Sequence, residues 1–198
     1  MCRFVETIKL NNGIVSRLKY HQNRVDKAFE TFFPEMKPIQ LSQVLSQVAL
    51  PQHGIIKCRI VYATRVENIE FIPYVRRDIQ SLKLVEMEID SLKYKPENRE
   101  IYQQAFEKKG DCDDILIIRN GFISDTSYTN IALYDGQKWV TPQIPLIYGV
   151  NRSELLNENK IFEKNIKPNE LMNFQRIRLF NSMIEFGDID LDIRIICC

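Results

Sequence analysis

The chain has 198 residues, of which 44% are hydrophobic and 27% charged, with a formal net charge of +1. Those figures describe an ordinary soluble protein with room for one substantial core or two small lobes. The balanced charge gives no reason to expect a nucleic-acid or membrane-surface partner, and no apolar run approaches the roughly 18 to 20 residues of a membrane span. The N-terminus, "MCRFVETIKL", lacks the charged-then-apolar plan of a signal peptide, so the cytoplasm is the expected compartment.

From the N-terminus, "RFVETIKL", the turn "NNG" and "IVSRL" read as a hairpin, with Asn12-Gly13 supplying the positive φ of the turn. "KYHQNRVDKAFETFF" places Val25, Ala28, Phe29 and Phe32 at helical spacing, and Pro34 ends that helix. "LSQVLSQVAL" is a second helical candidate, stopped by Pro51. "GIIKCRIVYAT" and "IEFIPYV" are β-rich and expected to pair, and "SLKLVEMEI" alternates as a further strand. "ENREIYQQAFEKK" is helical, with Gly110 as its C-terminal stop. Short strands then follow from Ile115, punctuated by Asn120-Gly121 and Asp135-Gly136. "VNRSELLNEN" and "KPNELMNF" read as helix starts, and "RIRLFNS" and "LDIRII" as closing strands. The fold class is α+β, with a smaller lobe over 1–78 and a larger, β-rich lobe over 79–198.

Five cysteines, Cys2, Cys58, Cys112, Cys197 and Cys198, are an odd number without a C-x-x-C pair, and reduced thiols are expected. "GDCDD" offers carboxylates and a thiol but no matching histidine, so it reads as a polar turn and no metal site is expected.

Several segments can carry chemistry, each with an ordinary alternative. Lys93 in "SLKYKPENR" stands at a predicted strand end beside apolar Leu92 and Tyr94, where partial desolvation would favour the neutral, nucleophilic amine. Lys95 is nearly as good by sequence alone, and either lysine could simply lie along the surface. His21 and Arg24 share a helix face; the guanidinium suits a phosphate, although a solvated face would look the same. "IYGVNRSELL" puts a glycine before a helix start, which either binds phosphate or is merely capped. Asn181-Ser182 closes a strand. In "GFISDTSYTNIAL" a polar centre interrupts apolar flanks, either as a hydrophilic loop or as groups converging on something.

The order of these pieces is more specific than any one of them. A lysine after a strand, then "DDILIIRNGFISDTSYTNIALYDGQKWVTP", "IYGVNRSELL" and "LFNS", preceded upstream by "FVETIKL" and "HQNRV", resembles the fold-type IV class of pyridoxal-phosphate enzymes over nearly the whole chain. That class holds branched-chain and D-amino-acid aminotransferases and 4-amino-4-deoxychorismate lyase, and "SLKY" looks closest to the lyase. The resemblance implies a two-lobed architecture with a reduced N-terminal lobe, pyridoxal 5'-phosphate as cofactor, a small-molecule amino substrate and a homodimer. It makes Lys93 the lysine that holds the cofactor. Arg24, the backbone N–H groups of Val150 and Asn151, and Ser182 would hold its phosphate. Ile147 would support the pyridine ring, and Asp125 would pair with the ring nitrogen. Thr126, Ser127 and Asn130 would support the backbone around that acid.

This chain departs from the class pattern in having Asp125 for the usual glutamate, in an extra residue within "FVET" and in a shorter link from Thr141-Pro142 to Gly149. The activity implied is formation of 4-aminobenzoate and pyruvate, a step of folate synthesis. The alternatives are a branched-chain or D-amino-acid aminotransferase, or a cofactor-binding protein with little catalysis.

Overall fold

The computed structural model describes residues 2–197, so the expectation for Cys198 lies outside the described residues. The chain forms two compact units. The first comprises Met1–Val75 and Lys93–Asn98; the second comprises Arg76–Leu92 and Arg99–Cys198. Against the expected division at 78/79, the first break falls after Val75 and a short later segment returns to the first unit.

The first unit is a four-stranded antiparallel sheet under a helix. β1 (Phe4–Asn11) lies between β2 (Ile14–Val15) and β3 (Ile55–Tyr62), and β4 (Val66–Pro73) pairs outside β3. Asn12 and Gly13 both have positive φ, 49° and 81°, as the tight β1–β2 turn requires. Alternation along β1 sends Phe4, Glu6, Ile8 and Leu10 to one face, where Phe4, Ile8 and Leu10 pack with Val25, Ala28 and Phe29 of α1 (Leu18–Phe32). Val5, Thr7 and Lys9 lie on the other face. The second helical candidate is only one and a half turns, α2 (Leu41–Ser46), closed when Gln47 N–H bonds Val44 O.

In the second unit, β5 (Leu82–Glu86) runs parallel to β6 (Asp114–Arg119), and α3 (Glu100–Glu107) lies between them in the chain. Ile115, Leu116 and Ile117 are wholly buried, which accounts for the unbroken apolar run "ILII". β6 turns at Asn120-Gly121, φ 50° and 75°, into antiparallel β7 (Phe122–Thr126). β8 (Asn130–Tyr134) then joins a second sheet with β9 (Trp139–Pro142), β10 (Phe162–Lys164), β11 (Arg176–Phe180) and β12 (Asp190–Asp192). α4 (Val150–Asn157) sits between β9 and β10 in the chain, and "KPNELMNF" forms only a short 3₁₀ turn over Pro168–Asn173.

"LDIRII" is not the single strand that its composition suggests. Asp192 accepts a bond from Arg194 N–H and starts a 3₁₀ turn, after which β13 (Ile196–Cys197) pairs parallel with β5 in the other sheet. Among the described residues no helix is long and apolar enough to cross a membrane. The mixed α and β content and the two units give an α+β architecture with the smaller unit at the N-terminal side of the chain.

Candidate active site

Asp125 is the centre of the polar stretch. It sits on β7, 4% exposed, between the buried residues Ser124 and Thr126. Its Oδ2 accepts three donors: Asn130 Nδ2 at 3.0 Å, Leu146 N at 2.9 Å and Ile147 N at 3.2 Å. Its Oδ1 is buried and has no partner. Burial raises the carboxyl to about 6, against the lowering influence of the Asn130 bond, the Ile147 amide, the Arg152 charge and the Leu146 amide. A buried carboxylate with one oxygen saturated and the other bare fits a ligand N–H donor.

The same bonds fix the neighbouring segment. Asn130 Nδ2 also donates to Ile147 O at 2.9 Å, and Asn130 Oδ1 lies so close to Gly149 that a Cβ there would overlap it. Only glycine fits at the residue preceding α4. That helix has no side-chain cap, so the N–H groups of its first turn, Val150 and Asn151 among them, have no intrahelical acceptor. Asn151 is wholly buried and donates to Asn181 O at 2.9 Å and Ile184 O at 3.0 Å, which ties the helix start to the strand end bearing Ser182. Asn181 in turn donates to Tyr128 O at 3.2 Å, back on the loop that follows Asp125. Asp125, Ile147, Val150, Asn151 and Ser182, distant in sequence, are therefore gathered in the second unit.

Arg24 and Lys93 belong to the first unit. Arg24 and His21 do not form a solvated helix face: both are buried against Glu6, which occupies an inward position of β1. Arg24 Nε and Nη2 bond Glu6 Oε1 and Oε2 at 2.8 and 2.6 Å, and His21 Nδ1 lies 2.5 Å from Oε2. Burial pushes the Glu6 carboxyl up, but the Arg24 charge and the His21 and Arg24 hydrogen bonds outweigh it and hold the group at about 2. Burial pushes His21 down, against the raising influence of Glu6, and its buried Nε2 has no partner among the described residues. With two of its nitrogens engaged by Glu6, Arg24 has Nη1 as the donor nitrogen not used in that pair.

Lys93 does not have the partly desolvated side chain expected of it; the side chain is exposed. Two residues on, Lys95 is half-buried and donates from Nζ to Thr7 Oγ1 at 2.9 Å. The residue before Lys93 is anchored in the second unit: Leu92 N donates to Leu146 O at 2.7 Å, and Tyr148 N donates to Leu92 O at 3.2 Å.

Sequence reasoning missed Glu6, whose signal was a charge at an inward-facing strand position. It also missed Asp114, a wholly buried acid that opens β6 and that "GDCDD" had suggested was only turn. Burial raises its carboxyl against bonds from Ser127, Ile115 and Thr126. Among the described residues no cluster of three potential metal ligands occurs.

The amino-transferase class IV family model matches residues 83–190. An uncharacterized protein of Haemophilus influenzae is 30% identical over 181 residues, covering 90% of this chain and 96% of that one. A candidate 4-amino-4-deoxychorismate lyase of Haemophilus somnus superposes with a TM-score of 0.86 at 28% identity, over 93% of this chain and 98% of its own. The fold alone is shared with a candidate amino-acid aminotransferase of Mesorhizobium loti, TM-score 0.82 at 22% identity over 100% of both chains. A hypothetical aminotransferase of Mycobacterium tuberculosis with pyridoxal phosphate bound shares it at TM-score 0.73 and 13% identity, over 96% of this chain and 80% of its own. From the match over more than half the chain and the full-length relative, the chain is a member of the amino-transferase class IV family.

Proposed function

We propose that the protein binds pyridoxal 5'-phosphate and converts 4-amino-4-deoxychorismate to 4-aminobenzoate and pyruvate, as a homodimer in the cytoplasm. The observation that supports the cofactor is Asp125: its bare, buried Oδ1 is an acceptor suited to the ring nitrogen, and its other oxygen is already held by three donors. The uncapped N-terminus of α4, with Val150 and Asn151, suits a phosphate, and Ser182 is the neighbouring hydroxyl. Arg24 would contribute Nη1, with Glu6 fixing the orientation of the guanidinium. Ile147, locked by Asn130 and Asp125, offers the apolar support for a ring. When bound, the cofactor would supply an electron sink for the electron pair left when a bond at the substrate's amino-bearing carbon breaks.

A lysine amine must hold the cofactor and then take and return a proton at Nζ. Lys93 is one candidate, and it follows directly on the anchored Leu92. The half-buried position of Lys95 and its bond to Thr7 favour Lys95, since a pinned amine is the better positioned base. The lyase reading is supported by the full-length likeness to the Haemophilus somnus protein, and the family's own description supports an aminotransferase as the alternative.

Mixing purified protein with pyridoxal phosphate should give an absorption band at the violet edge of the visible. Borohydride reduction followed by peptide mapping should then find the label on Lys95; a label on Lys93 reverses that choice, and no band overturns the cofactor. Supplied with aminodeoxychorismate alone, the loaded protein should release 4-aminobenzoate. Turnover only with a 2-oxo acid acceptor would make it an aminotransferase, and cofactor binding without turnover would leave a binding protein. Sedimentation velocity tests the dimer.

A further inference from the structure

The last described strand ends against a second thiol. β13 pairs parallel with β5, with Ile196 opposite Leu82 and Cys197 opposite Lys83. β6 flanks β5 on its other side, Leu82 opposite Asp114, so the turn that leads into β6 lies at the same end of β5. Cys112 is in that turn, 9% exposed, and its thiol is hydrogen-bonded to the Cys197 thiol and to the Ser81 side chain. Cys197 is exposed, and its Sγ also donates to Ile195 O at 3.7 Å. The two cysteines are not joined; both are thiols.

Bonds that do not involve sulfur hold the turn in place. Ser81, the residue before β5, donates from Oγ to Asp113 Oδ2 at 3.0 Å and accepts from Asp113 N at 3.0 Å. Gln80 N donates to the same carboxylate oxygen at 2.8 Å. Lys109 closes the other side of the turn: its Nζ donates to Cys112 O at 2.8 Å, and its carbonyl accepts from Cys112 N at 3.2 Å. Contacting thiols on an anchored backbone meet the first requirement of a disulfide, since cysteines that point apart cannot be joined without moving the chain. We propose that Cys112 and Cys197 form a reversible disulfide that latches β13 to the turn before β6.

The oxidant is a low-molecular-weight disulfide such as glutathione disulfide. The exposed Cys197 thiolate attacks one of its sulfurs, the S–S bond breaks, and one glutathione leaves as the thiolate. Cys112, once deprotonated, attacks Cys197 Sγ in the resulting mixed disulfide, and the second glutathione leaves. The two protein thiols lose two electrons and two protons, which convert the oxidant to two glutathione thiols. Exposure sets this order. Cys197 is reachable, whereas desolvation raises the Cys112 thiol, with the Cys197 hydrogen bond and charge acting in the same sense and the Ser81 bond and Lys83 charge opposing them. In a reducing compartment such a pair rests as thiols and closes on oxidation, the behaviour of a sensor rather than of a structural bridge. β13 is only two residues long, and the bond would tie it to the sheet whose far strand, β7, carries Asp125.

The test uses the full chain carrying Cys198→Ser, so that a single C-terminal thiol can react. After incubation of the folded protein with glutathione disulfide, tryptic mapping without reductant should find the peptide Gly110–Arg119 joined to the one that begins at Ile195. The intact mass should fall by two hydrogens, and dithiothreitol should reverse both changes. Oxidation should raise the midpoint of thermal unfolding by roughly 5 °C or more, because closing a long loop restricts the unfolded chain. Adding Cys112→Ser should abolish that rise and leave one glutathione on Cys197, while Cys197→Ser should leave Cys112 unmodified. The mapping of the parent chain stands whether or not either variant folds. Glutathione retained on Cys197 while Cys112 is present, a cross-link to Cys2 in place of the 112–197 bond, a bond that forms only in unfolded protein, or no reaction would each overturn the proposal.

Discussion

Replacing Asp125 with asparagine tests the electrostatics of the site without any ligand. Burial raises this carboxyl from its ordinary 3.8 to about 6. In the intervening pH range the folded chain keeps a proton that the unfolded chain has released, so stability falls as pH rises through that window. At about 1.4 kcal/mol per unit, the full cost of ionising Asp125 in the folded state is about 3 kcal/mol, of which about 2 falls between pH 4.5 and pH 7. Urea unfolding of the cofactor-free wild type and Asp125→Asn at a series of pH values isolates this slope, because other groups titrate alike in both and cancel. The stability of the variant relative to wild type should rise by about 2 kcal/mol from pH 4.5 to pH 7, whatever the absolute offset caused by the new amide. Parallel curves would refute the reasoning, since they would mean that Asp125 titrates as an ordinary exposed acid.

Glu6→Gln leaves Arg24 buried without its counter-charge and should cost about 3–5 kcal/mol in thermal or urea unfolding. Because Glu6 is held at about 2 rather than its ordinary 4.5, the wild type should also lose about 3 kcal/mol as pH falls through that range, and the variant should not. Ile115→Ala opens a cavity in the wholly buried centre of β6 and should destabilise by about 2–5 kcal/mol with an unchanged m-value.

The regular elements were legible because local chemistry and tertiary demand agree. The Asn-Gly turns at 12–13 and 120–121, the apolar run of β6 and the helical spacing from Val25 to Phe32 each point one way. "LDIRII" misled because its composition suits a strand throughout, whereas a single Asp192 cap breaks it and sends its halves to different sheets. The site was legible in its order and not in its energetics. Asp125 could be picked out, but its saturated and bare oxygens depend on backbone N–H groups from Leu146 and Ile147 that no pattern reveals. Lys93 looked enclosed because apolar neighbours flank it in sequence, yet it lies in a bend outside any strand, where its side chain is exposed. Glu6 hid for the converse reason: read alone it is one more charge, and only the strand's alternation and α1 together make it the buried partner of two basic groups.

The contact between Gly149 and Asn130 couples two positions that the chain keeps well apart. Any side chain at 149 requires Asn130 to shrink or swing aside, and either change strips Asp125 of its one side-chain donor. The two sites can therefore drift only as a pair, and a relative that has exchanged this glycine should also have surrendered the amide. In a sequence collection that joint loss would mark, without any assay, the members in which the acid at position 125 has lost its side-chain donor.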